Sequence, residues 1–189
     1  MLGVISENRL KNFLVAVGDG EREIEASRQR LCSIRDFALM AAFERFDRNL
    51  SGNVDGRELN DFLRENGVLT ITDSECDALV RYFDNNGDGK LVFNEFIQLW
   101  LPCEDNVLRS ITSDRPSIRV GRFDRLPVDI ELAMVRVIEG EINLQRRLES
   151  LKRECLLGLD FSSLAALRSI DRYNTGTFNT VLLGAFLRS

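Results

Sequence analysis

The sequence predicts an all-α protein built from helix–loop–helix units, and three observations carry that expectation. Apolar residues recur at steps of three and four along most of the 189 residues, the spacing that lines one face of a helix. Two twelve-residue segments, Asp47–Glu58 and Asp84–Glu95, set oxygen-bearing side chains at positions 1, 3, 5 and 12 and glycine at position 6. Shifting the sequence by 124 residues lays its C-terminal part over the first of these units.

Composition narrows the function classes. Hydrophobic content of 44% with 29% charged residues suits a folded globular chain rather than a disordered one. A net charge of −5 points away from nucleic acid. The absence of histidine removes the commonest general base and the usual nitrogen ligand of zinc, so no enzyme is expected. Cys32, Cys76, Cys103 and Cys155 show no C-x-x-C spacing and read as reduced thiols. No apolar stretch is long enough for a transmembrane segment, and Met1–Glu7 lacks the basic start and apolar core of a signal peptide. A cytoplasmic setting is expected, with a cytoskeletal assembly as one form of it.

Residues 1–34 read as an N-terminal helical segment. Val4, Leu10, Phe13, Leu14 and Val17 are loosely helical, and Gly18-Asp19-Gly20 is expected to stop them. A charged helix follows from Glu21 to Ser33, acids first and bases later, as the helix dipole favours. Residues 35–104 hold the two loops. A helix from Asp36 to Phe46 (Phe37, Met40, Phe43, Phe46) enters the first, and one bearing Leu59, Phe62 and Leu63 leaves it. Asp73–Phe83, opened by Thr72-x-x-Glu75, enters the second. Phe93, Phe96, Ile97, Trp100 and Leu101 leave it and stop at Pro102.

The loops are patterned for calcium, a hard cation that takes six to eight oxygens at about 2.3–2.6 Å. Asp84, Asn86 and Asp88 would each give a side-chain oxygen, Lys90 its carbonyl, and Glu95 both carboxylate oxygens. The first loop offers Asp47, Asn49, Ser51, Asn53, Asp55 and Glu58, with a serine hydroxyl where a carboxylate or amide is usual. These residues resemble the EF-hand calcium-binding superfamily, to which calmodulin and troponin C belong. The starting aspartates lie 37 residues apart, the spacing of two hands in one lobe. The resemblance implies two Ca2+ sites and a short two-stranded ladder joining the loops through Val54 and Leu91.

Residues 105–127 form a basic linker with Arg109, Arg115, Arg119, Arg122 and Arg125, read either as a solvated connector or as a docking segment for an acidic partner. Residues 128–159 form a long amphipathic helix with Ile130, Met134, Val137, Leu144, Leu148, Leu151 and Cys155 on one stripe. Glu141 interrupts the stripe and Gly140 weakens the helix, which is expected to pack on this protein's own lobes or on another chain. Residues 160–189 repeat the first hand: Asp160-Phe161 matches Asp36-Phe37, Asp171-Arg172 matches Asp47-Arg48, and Gly176 matches Gly52. Tyr173, Thr175 and Leu182 replace the ligands, so this hand is degenerate and expected to hold no metal. It is also unpaired. Its uncovered side can be closed by the long helix, by the same hand of a second copy in a homodimer, or by a different protein; alternatively, the sequence is a truncated form of a longer chain with a fourth hand.

The expected architecture is therefore an EF-hand lobe of two paired hands plus a helical C-terminal unit with a long helix and one degenerate EF-hand. The expected function is that of an intracellular calcium-responsive adaptor or sensor for a dedicated protein partner. With only Met40 and Met134 internal, the chain lacks the flexible methionines of promiscuous target grooves. The alternatives are a structural or scaffold protein whose lobe calcium merely stabilises, and a calcium buffer.

Overall fold

The computed structural model describes residues 2–117, 121 and 124–189. Among them it forms nine helices and one two-stranded ladder: α1 (Val4–Ser33), α2 (Leu39–Phe46), β1 (Asn53–Val54), α3 (Gly56–Glu65), α4 (Asp73–Phe83), β2 (Leu91–Val92), α5 (Phe93–Trp100), α6 (Asn106–Ser113), α7 (Val128–Leu156), α8 (Ser163–Ile170) and α9 (Thr180–Arg188). None of these helices is long and apolar enough to cross a membrane. The chain divides into two compact units, Glu23–Ile142 and Met1–Arg22 with Asn143–Ser189, and α1 and α7 contribute to both.

In the unit of Glu23–Ile142, α2, α3, α4 and α5 form the two hands. Local sequence explains where each starts. Ala38 is extended (φ −122°, ψ 132°), so α2 begins at Leu39 rather than at Asp36. Thr72 and Glu75 close the expected capping box at the head of α4. The ladder is antiparallel, with Val54 opposite Leu91 and Asn53 opposite Val92, the junction that the resemblance implied.

The core of this unit is aromatic. Phe46 lies tilted against Phe62 at 4.4 Å and edge-on to Phe96 at 5.3 Å, and Phe96 meets Trp100 edge-on at 5.5 Å. The first half of α7 completes it: Ile130, Met134, Val137, Ile138 and Ile142 are buried in the same cluster as Phe43, Phe62, Phe96 and Trp100. The long helix thus packs on this protein's own lobe. Two buried ion pairs fix it there. Arg45 on α2 donates to Glu131 at 2.6 Å and to Glu65 at 2.8 Å, and Arg28 on α1 donates to Glu141 at 2.5 Å. Glu141, which breaks the apolar stripe, is the partner of a buried arginine.

The segment 105–127 is less of a linker than its composition suggests. Asp105 accepts from the Leu108 amide and caps α6. Arg115 donates to the carbonyls of Cys32, Ile34 and Phe37, Arg109 to Pro102, and Arg125 to Glu65. Arg119 and Arg122 lie outside the described residues.

In the other unit, α1 corrects the sequence expectation, because it continues through Gly18-Asp19-Gly20. A glycine inside a helix costs about 1 kcal/mol relative to alanine. Gly20 is held because Leu144 of α7 packs straight onto it: a Cβ there would stand 2.3 Å from the Leu144 Cδ1. The early part of α1 covers the C-terminal hand, with Leu2, Leu10 and Leu14 clustered against Ile170, Leu183 and Phe186. Lys11 adds a cation over the Phe186 ring at 5.1 Å, and the Asp160 carboxylate accepts from the Gly3 amide at 2.5 Å and the Ser6 hydroxyl at 2.6 Å. The cover of this hand's core is the N-terminal helix, not the long one.

Candidate metal centre

The first loop gathers its oxygens through its own hydrogen bonds. The buried Asp47 carboxylate accepts from the amides of Ser51 and Gly52, each at 2.8 Å, and from the Ser51 hydroxyl at 3.2 Å. Asn49 accepts from the Ser51 amide at 2.8 Å and donates to Glu58 at 2.7 Å. The Ser51 hydroxyl also donates to the Asn53 carbonyl at 3.1 Å. Asp55 and Glu58 form a capping box at the head of α3: the Asp55 side chain accepts from the Glu58 amide, and the Glu58 side chain accepts from the Asp55 amide. The residues at positions 1, 3, 5, 7, 9 and 12 are therefore linked in one web.

That web is electrostatically unbalanced. Burial and the neighbouring Asp55 and Asp47 carboxylates push the Glu58 carboxyl above the usual range. A cation among them would offset the carboxylate repulsion and favour the charged form of Glu58.

The second loop is more open. Asp84 is turned inward by the amides of Gly89 and Gly87, each at 2.7 Å, and of Asn86 at 3.1 Å. These bonds, that of Gly89 first, hold its carboxyl below the usual range. Asn86 accepts from Asp88, and Asp88 from Lys90. The buried Glu95 accepts from Asn85 at 3.0 Å and Val92 at 3.1 Å, and so ties the last position of the loop to its second and ninth. Gly87 and Gly89 have φ of 78° and 80°, a left-handed turn that a side chain resists. In the first loop the non-glycine Leu50 takes that conformation, at φ 59°.

Among the described residues no three histidine, cysteine, aspartate or glutamate side chains form a metal cluster. The donor set here is different: carboxylates interleaved with amide, hydroxyl and carbonyl oxygens, and no nitrogen or sulfur ligand. That chemistry fits a hard, oxygen-seeking cation such as calcium and not zinc. The four cysteines are free, and burial pushes the Cys32 and Cys76 thiols up to about 11 and about 12, far from ligand or nucleophile behaviour.

The third loop keeps the scaffold alone. Asp171 is buried and accepts from the Gly176 amide at 2.7 Å and the Thr175 hydroxyl at 3.2 Å. Asn174 and Gly176 have φ of 54° and 80°, and Asn179 caps α9 by accepting from Leu182. Tyr173 is 78% exposed, and the Leu182 side chain has no oxygen.

Sequence reasoning missed the residues that join the loops to the rest of the unit. Arg45 lies between Phe43 and Phe46 on a buried helix face, and Glu131 follows Ile130 on another. A charge on an apolar stripe was the available signal.

The comparisons with known proteins fall on the same residues. Residues 36–101 match the EF-hand domain pair. A probable calcium-binding protein, CML11, of Oryza sativa subsp. japonica is 39% identical over 64 residues, 34% of this chain and 30% of that protein. Calbindin of Homo sapiens is 33% identical over 87 residues, 42% of this chain and 32% of calbindin. Calmodulin-like protein 2 of Arabidopsis thaliana is 32% identical over 62 residues, 33% of this chain and 40% of that protein. The chain thus spans about a third of the length of the first two relatives. No solved structure matches it.

Proposed function

From the premise that residues 36–101 are an EF-hand pair of the calcium-binding superfamily, we propose that this protein is a calcium-responsive adaptor whose lobe reports its state through its own helix α7. Asp47, Asn49, Ser51, Asn53, Asp55 and Glu58 would hold one ion, and Asp84, Asn86, Asp88, Lys90 and Glu95 a second. Bound there, the ions would neutralise carboxylates that the loops bring together.

The observation that carries the reading is the burial of α7 against the lobe. In a sensor the apolar face between the hands receives a target helix. Here residues 128–142 already occupy that face. Glu58 caps α3, which carries Phe62; Glu95 sits in the first turn of α5, which carries Phe96 and Trp100. These three rings share one core with Met134 and Val137. A change in what the two glutamates bind therefore reaches α7 through a single layer of side chains. The helix, and not an open groove, is what a dedicated partner would sense. The lack of histidine and of any activated thiol gives no support to catalysis.

Hydrogen exchange across residues 128–142, with and without calcium in millimolar magnesium, tests this. A calcium-dependent change in protection of that stretch, absent in the Glu58→Gln/Glu95→Gln double variant, is expected. Calcium binding with unaltered protection would refute the adaptor reading and leave a buffer. A second reading, a scaffold in which calcium only stabilises the lobe, is favoured by the buried Arg45–Glu131 pair. It predicts uniform gain of protection over the whole unit.

A further inference from the structure

We propose that the hollow between the end of α2 and the outer face of α3 docks an acidic segment of a protein partner, with Arg57 and Arg64 gripping its carboxylates. This goes beyond the calcium reading and does not depend on it.

The hollow encloses about 400 Å³ within the unit of Glu23–Ile142. Arg45, Arg48, Arg57 and Arg64 line it, together with the rings of Phe46 and Phe62. Arg57, Asp61 and Arg64 follow one another at steps of four and three along α3, so one face of the helix carries all three. Four arginines round one hollow run against their setting, because residues 23–142 hold 23 acidic and 15 basic side chains.

Part of the hollow already receives a carboxylate. Arg48 holds Glu65 in a fork at 2.5 and 2.7 Å, and Arg45 adds a bond at 2.8 Å. Burial alone would raise the Glu65 carboxyl, but the bonds from Arg48 and Arg45 outweigh it and hold the group below the usual range. The wall thus favours a carboxylate, here one that its own chain supplies.

The remaining charge is less well matched. Arg45 is also engaged by Glu131. Glu58 lines the hollow, but its two oxygens accept from the Asn49 side chain and from the Asp55 amide. Arg64 meets Asp73 at 3.5 Å with both side chains more than half exposed, a surface pair of little strength. Arg57 and Asp61 make no hydrogen bond or ion pair among the described residues. Two cationic forks therefore face one opposing carboxylate, Asp61.

The same balance selects the occupant. A nucleic acid or an anionic bilayer would bring negative charge against the whole acid-rich unit and be repelled by it. A short acidic segment sets its carboxylates in the hollow alone, and exposed charges beyond about 8 Å are largely screened at physiological salt. Arginine clusters recognise acidic motifs in this way, each planar fork matching one carboxylate. Composition first suggested the segment 105–127 for such a role, but its Arg109, Arg115 and Arg125 donate to backbone carbonyls.

The test uses the full chain, without calcium, and a labelled oligoglutamate peptide followed by fluorescence anisotropy. Wild type is expected to bind it. Arg57→Gln with Arg64→Gln should lower the affinity at least about tenfold, the effect of losing two charge-assisted contacts. Asp61→Asn, which removes the opposing charge, should raise it. All three side chains are exposed, so circular dichroism should not change. Arg81→Gln with Arg136→Gln takes the same charge from exposed positions on α4 and α7, and should leave binding nearly unaltered. A wild-type chain that does not bind overturns the proposal, as does an Arg57/Arg64 variant that loses no more than the Arg81/Arg136 variant, since the attraction would then not be to the hollow. Arginine-dependent binding to vesicles containing anionic lipid, with none to the peptide, would overturn it too and assign the hollow to a lipid surface.

Discussion

Asp47 and Asp171 stand at the same place in two hands of one chain, and their immediate surroundings differ little. Each is buried, each accepts from the glycine amide five residues on, and each is touched by the hydroxyl four residues on. The difference begins at the third and twelfth positions, where Asn49 and Glu58 are replaced by Tyr173 and Leu182. The shape of the loop is thus set by backbone amides closing on one carboxylate, together with left-handed turns at the fourth and sixth residues. Ligation would be a separate layer laid over that shape. The third loop keeps the shape without the amide and carboxylate oxygens at the third and twelfth positions.

The largest expected effect breaks this comparison directly. Glu58→Gln with Glu95→Gln keeps side-chain volume but replaces one accepting oxygen of each side chain by an amide donor and removes the carboxylate charge that would close each site. Calorimetric titration should show calcium affinity falling by about two orders of magnitude or more, since affinity follows ligand charge, while the helical signal persists. The converse variant, Tyr173→Asp with Thr175→Asp and Leu182→Glu, should add a calcium-binding event to the C-terminal hand, because the frame is already in place. Failure of the converse variant to bind would mean that the frame needs more than its turns.

The covers of the two hands differ more sharply. The lobe is closed by α7 through apolar residues and the buried Arg45–Glu131 pair; the C-terminal hand is closed by α1 through leucines and Lys11 over Phe186. Removing one member of a buried pair leaves an uncompensated charge and costs about 3–5 kcal/mol. Glu131→Ala should fall near the lower end, because Arg45 retains Glu65. Replacing both, Arg45→Met with Glu131→Leu, should cost much less or stabilise. Urea titration of the Trp100 signal distinguishes these.

The same pair gives a pH dependence. Burial alone would raise the Glu131 carboxyl, but the hydrogen bond and charge of Arg45 outweigh it and hold the group below its ordinary 4.5. A lowered native value means that the ion pair contributes fully above about pH 4.5, and that its contribution is lost as pH falls through the native value. Wild type should therefore lose more stability between pH 7 and pH 3 than Glu131→Gln does. Equal losses would show that the pair contributes nothing net.

How far the sequence could be read follows from the range of the forces involved. The loops, the capping boxes at Asp55 and Thr72, and the Val54–Leu91 junction rest on contacts within a dozen residues or on two matched loops, and spacing alone discloses them. The pairing of Arg28 with Glu141, 113 residues away, has no local trace beyond a charge on an apolar face. Which helix covers which hand was hidden for the same reason: α1 and α7 both carry usable stripes. The helix α6 was missed although Asp105 marks its start, because the following residues lack a sustained period. The continuity of α1 was misread because two glycines look like a stop until Leu144 is placed against one of them.

Those two glycines give the smallest effect and the finest comparison, since they lie two residues apart in one helix and differ only in what they face. Gly18 is exposed, and a methyl group added there would meet nothing within 4 Å, so Gly18→Ala should stabilise by up to about 1 kcal/mol through helix propensity. Gly20→Ala gains the same propensity, but its methyl would stand 2.3 Å from Leu144 Cδ1, and overpacking of this kind costs about 1–3 kcal/mol. The net change at Gly20 should therefore be destabilising, opposite in sign to that at Gly18. Shortening the obstacle, as in Gly20→Ala with Leu144→Ala, should recover part of the loss relative to the sum of the single variants, because the new methyl fills space the leucine vacates. Thermal unfolding of the four chains decides it: stabilisation at both glycines would mean that Leu144 does not hold α1, and that the helix passes Gly20 on propensity alone.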